Sequence, residues 1–119
     1  VIHSYKSGWK GESIIPDPPV PGALAFMKDA LPHFRVVIFS SRSSSPGGIL
    51  AMKQYIERYC RESWHVPWWL GIEFPTNKPS AFVTIDDRAI TFNGIFPAVH
   101  ELVNFKTWIE KQHERDGTA

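Results

Sequence analysis

With a single cysteine, Cys60, in 119 residues, a disulfide framework and a cysteine-rich metal site are both excluded. A surplus of one charge sign is missing too. Thirteen basic residues against twelve acidic ones leave a net charge of +1, which offers no electrostatic case for a nucleic-acid polymer or a membrane as partner. No apolar run approaches the roughly 20 residues of a membrane span. The N-terminus does not read as a signal peptide, so a cytoplasmic location is expected. Internal repeats and low-complexity segments are absent as well. What is present is 43% hydrophobic and 21% charged, an ordinary globular composition. The length suits one domain, residues 1–119, with a real core. Ten prolines and five tryptophans are many for that length, and the first residue is Val1 rather than methionine.

Residues 3–21 are dense in glycine and proline and read as a flap-like loop. From Gly22 the spacing of Leu24, Met27 and Leu31 predicts a helix, with Pro21 suited to its first turn and Pro32-His33 ending it. Arg35 to Ser40 carries four consecutive apolar residues and predicts a strand buried on both faces. After a polar loop, Ile49, Met52, Ile56 and Tyr59 mark an amphipathic helix. Ile72-Glu73-Phe74 suits a short strand, and Ala81 to Ile85 a second buried one running into Asp86-Asp87. Ala89 to Phe92 reads as a strand closed by a tight turn at Asn93-Gly94. Val99, Leu102, Val103 and Ile109 mark a final helix, and residues 113–119 a tail. Strands alternating with helices predict an α/β domain with a mostly parallel sheet, whose ligands bind beyond the carboxyl ends of the strands. Ser40 and Asp86-Asp87 stand at those ends.

Each candidate site residue also has an ordinary explanation. Two adjacent carboxylates repel, and a hard cation such as Mg2+ would relieve the repulsion; equally, Asp86 and Asp87 can cap the next turn or pair with Arg88. The Ser40 and Ser41 hydroxyls suit a phosphate oxygen near the start of the Ile49 helix, or an N-cap in a serine-rich turn. Lys78, eight residues before Asp86, suits a phosphate grip or a solvated charge.

Their order is more specific. An apolar strand ending Ser40-x-Arg42, then Lys78-Pro79, then an apolar strand ending Asp86-Asp87-Arg88, resembles the haloacid dehalogenase superfamily. There a strand-end Ser or Thr is the second motif, a Lys the third and an acidic pair the fourth. Receiver-type phosphoacceptor folds place the acidic pair first, so the order here excludes them. Val1-Ile2-His3-Ser4-Tyr5 looks like the continuation of the family's first motif, an apolar strand ending Asp-x-Asp-Gly. The likeness runs from Val1 to about Ile109 and is greatest to small members without a large cap domain.

The resemblance implies a Rossmann-like three-layer α/β/α domain and a Mg2+-dependent phosphohydrolase acting through an aspartyl-phosphate on a small phosphomonoester or nucleotide. Ser40, Ser41 and Lys78 would hold phosphate and Asp86 and Asp87 the metal. His3, Tyr5, Lys6 and Arg42 would contact substrate, and Trp9 and Lys10 of the flap, with Tyr5 and Lys6, would meet a leaving group by stacking or charge unless the flap simply packs on its own domain. The departure is the first motif itself: neither its nucleophilic aspartate nor its acid/base aspartate is among these residues, and Asp17 and Asp29 are not at strand ends. The strand carrying that motif is expected to be missing or truncated, as about ten residues ahead of Val1 in a longer parent. The alternative is a non-catalytic domain of the same fold that binds through the flap and the cluster of Trp64, Trp68 and Trp69.

Overall fold

The structure, a computed structural model, describes residues 1–115. Asp116 to Ala119, the end of the expected tail, lie outside them, whereas residues 113–115 belong to a helix. The chain divides into two compact units, Ile2–Phe82 and Val83–Ala119 with Val1.

The first unit is organised by its longest helix. Ser45 accepts the Gly48 N–H at its side-chain oxygen (3.0 Å), and Pro46 occupies the first turn, where its missing N–H costs nothing. From there α2 runs over Pro46–Arg61. Met52, Tyr55, Ile56 and Cys60 recur at helical spacing and are buried, while Lys53, Gln54, Arg58 and Arg61 stay exposed. The core closes on that stripe: Met27 from α1 (Ala23–Ala30), Ile38, Trp69 from the 3-10 turn Trp68–Gly71, and Ile72. Ile2 and, from the flap, Ile15, with Leu24, Leu31, Trp64 and Phe74, pack against it partly buried. α1 starts after Gly22, whose φ of 85° a side chain would strain, so Pro21 falls just ahead of the helix rather than in its first turn.

The three-layer α/β/α sheet is not found. Among the described residues β pairing is limited to two isolated bridges, His3 with Pro19 (antiparallel) and Val37 with Glu73 (parallel). The second does join two of the expected strands, through Ile38 N–H to the Glu73 carbonyl (2.9 Å) and Glu73 N–H to the Val36 carbonyl (3.1 Å). It stops after one residue. A strand persists only as a member of a ladder, and an apolar run does not specify its partner. Ala81 to Ile85 forms no strand and is exposed, Phe82 at 93%. Ala89 to Phe92 forms none either, although Asn93-Gly94 does turn, with Asn93 Oδ1 accepting the Ile95 N–H.

In the second unit the expected final helix is two helices, α3 (Val99–Val103) and α4 (Trp108–Arg115). The break has a cause. Thr107 Oγ1 accepts the Glu110 N–H (3.3 Å) while the Glu110 carboxylate accepts the Thr107 N–H (3.1 Å), a reciprocal capping box that starts a new helix.

Candidate functional site

The flap is closed on itself before it meets anything else. Ser4 N–H donates to the Pro18 carbonyl (2.8 Å) and Val20 N–H to the Ile2 carbonyl (2.7 Å), so the two ends of the loop run antiparallel. Within it the Asp17 carboxylate accepts both the Ser7 N–H (2.8 Å) and the Ser7 hydroxyl (2.7 Å). Tyr55 of α2 anchors the whole by donating its hydroxyl to the Asp17 carbonyl (2.7 Å). Gly8 (φ 72°) and Gly11 (φ 101°) provide left-handed turns on either side of Trp9 and Lys10.

Hydrogen bonds from Ser7, backbone first and then side chain, hold the Asp17 carboxyl below its ordinary pKa. A depressed carboxylate contributes stability above its unfolded pKa, near 3.8, and loses it as the pH falls through the lower folded value. The Ser7 amide is therefore expected to keep its hydrogen-bonded NMR position as the pH drops through 3.8, and to lose it only at more acid pH. A midpoint at or above 3.8 would contradict this arrangement.

Next to the flap lies the turn that follows Ser40. Ser40 is extended (φ −150°) and heads the 3-10 turn Ser41–Ser44. Its Oγ accepts the Arg42 N–H (3.1 Å) and lies 3.3 Å from Met52 Sδ, and its own N–H donates to Ser43 Oγ (3.0 Å). The Ser40 hydroxyl thus has the capping role that was open for it in the sequence. Ser41 is exposed. Arg42 turns back under the flap: Nη1 donates to the Gly11 carbonyl (2.8 Å), and the guanidinium carbon lies 4.5 Å from the Trp9 ring centre. Gly48, the third residue of α2, admits this approach, because a β-carbon there would strike the Arg42 backbone carbonyl.

The remaining candidates are placed as follows. His3 is half-buried, its ring edge-on to Tyr55 at 6.4 Å and its Nδ1 2.7 Å from the Ser4 carbonyl. Tyr5 is 42% exposed, and Lys6 is exposed. Lys78 is exposed in an irregular stretch of the first unit. Asp86 and Asp87 belong to the second unit; Asp86 Oδ1 accepts the Arg88 N–H (2.8 Å), an Asx turn, and Asp87 is half-buried beside it. Among the described residues no three histidine, cysteine or carboxylate groups converge as a cation cage.

Ser40, Ser41 and Arg42 with the flap residues Trp9 and Gly11 form one neighbourhood, built by α2 and its cap. Asp17, which braces the flap beside this neighbourhood through Ser7, was not among the expected site residues. No local signal marks Asp17, because its partner Ser7 is ten positions away across a loop. No protein-family model, curated protein or solved structure matches the chain.

Proposed function

We propose that this chain carries the phosphate-gripping and metal-binding residues of a Mg2+-dependent phosphohydrolase acting on a small phosphomonoester or nucleotide, and that these 119 residues alone do not turn it over. The observation that carries it is the order Ser40, Lys78, Asp86-Asp87, together with the buried guanidinium of Arg42 two residues after Ser40. Arginine and lysine offer phosphate a planar fork and a point charge respectively. Asp86 and Asp87 supply two oxygen ligands to Mg2+, an ion that completes its shell with waters and substrate phosphate oxygens rather than an all-protein cage. In that chemistry the metal offsets charge between a nucleophilic aspartate and the phosphate. An Asp-x-Asp pair to serve as nucleophile and acid/base does not occur in the sequence.

Calorimetry checks both halves. Inorganic phosphate is expected to bind more tightly in Mg2+ than in EDTA, while p-nitrophenyl phosphate stays at its uncatalysed rate. Magnesium-dependent turnover by this chain, lost on Asp86→Ala, would overturn the second half; phosphate binding indifferent to Mg2+ would overturn the first.

Binding without catalysis through the tryptophan cluster is a second reading, and one feature favours it. A groove of about 780 Å³ lies among Lys28, Leu31, Pro32, Trp64, His65 and Trp68, and the Trp68 indole N–H beside it has no hydrogen-bond partner.

A further inference from the structure

Arg42 is 4% exposed, and no carboxylate among the described residues pairs with it. Of the five N–H donors of a guanidinium, one is engaged, by the Gly11 carbonyl. Burying a cation without a counter-anion is costly, and an anionic ligand that used the spare donors would offset that cost. The cation is also stacked. Trp9 lies over it at 4.5 Å yet remains 53% exposed, so much of its indole surface is left for a second planar group. Left-handed Gly8 and Gly11 turn the backbone on either side of that indole, and exposed Lys6 and Lys10 flank it in sequence.

We infer that the flap makes the site selective for nucleoside monophosphates: the spare N–H groups of Arg42 take the phosphate, and the exposed surface of Trp9 stacks the base. This rests on the phosphate-handling role proposed above and adds the class of leaving group. An aliphatic phosphomonoester would use Arg42 and leave Trp9 idle. A polynucleotide would need a basic track, which a net charge of +1 does not provide.

Three probes, titrated into the chain in Mg2+ by calorimetry, test the inference: AMP, glycerol 2-phosphate and inorganic phosphate. AMP is expected to bind at least about tenfold more tightly than glycerol 2-phosphate, the scale of one base–aromatic stack. Trp9→Ala should abolish that preference, whereas Trp9→Phe keeps part of it. Arg42→Lys should weaken all three. The adenine H2 and H8 resonances should move upfield on binding, and not with Trp9→Ala. Equal affinity for AMP and glycerol 2-phosphate, with inorganic phosphate still bound, would overturn the inference and spare the phosphate role. Loss of inorganic phosphate binding would overturn both, and so would AMP binding that ignores Arg42→Lys.

Discussion

Joined at Val1 to an apolar segment ending Asp-x-Asp-Gly, the chain is expected to hydrolyse p-nitrophenyl phosphate in Mg2+ at about a thousandfold or more above the uncatalysed rate, a modest figure on the scale of enzymes. The added aspartates provide a nucleophile and a proton donor, which the 119 residues do not supply as an Asp-x-Asp pair. In the proposed reading Ser40, Arg42 and Lys78 serve as the phosphate grip and Asp86 and Asp87 as the metal carboxylates. Asp86→Ala in the fused protein is expected to cost about a hundredfold or more, because a metal contributes several kcal/mol of charge stabilisation and each ~1.4 kcal/mol is tenfold in rate. Steady-state rates of the fused chain, the fused Asp86→Ala chain and the unfused chain form the comparison. A fused chain no faster than the unfused one would remove the link between Val1 to Tyr5 and such a motif.

The second large effect is on stability. Ile56 is 3% exposed at the middle of the buried stripe of α2, where Met52, Tyr55 and Cys60 are also enclosed. Ile56→Ala removes most of that side chain and leaves a cavity whose walls relax only in part. A loss of about 2–5 kcal/mol is expected. For a domain of this size that is a large share of the whole. Urea denaturation should show a lower midpoint at similar slope. Leu50 is 54% exposed on the same helix, and Leu50→Ala should change little. Equal effects from the two would mean that α2 does not present this face to the core.

The helices of the first unit were legible because their evidence is local. Met27 in α1, and Met52 and Ile56 in α2, recur at helical spacing, although α2 starts at Pro46, inside the stretch expected to be loop. The sheet was not legible, for a reason of the same kind. Val36 to Phe39 and Ala81 to Ile85 are apolar runs, but pairing is a relation between distant segments. One run found a single residue of parallel pairing at Glu73, and the other lies exposed. The final helix broke at Thr107, where the Thr-x-x-Glu pattern was available in the sequence and outweighs the apolar spacing that suggested continuity.

The candidate site divides similarly. Ser40 was recognisable as a turn-former or a phosphate ligand, and its capping geometry follows from the serine-rich stretch after it. Arg42 was singled out as a substrate contact, but its burial was not, because that depends on Trp9 and Gly11 folding over it from thirty residues away. Asp17 was set aside because it does not stand at a strand end. It organises the flap from that position, through Ser7 and the backbone contact of Tyr55.

Amide NMR, with Mg2+ and inorganic phosphate added separately and then together, tests most directly whether these residues form a metal and phosphate site. The expected result is that Mg2+ moves the Asp86 and Asp87 amides and that phosphate moves Ser40, Ser41, Arg42 and Lys78. Asp86 and Asp87 amides unmoved by Mg2+, or phosphate shifts that bypass Ser40 and Arg42, would contradict it.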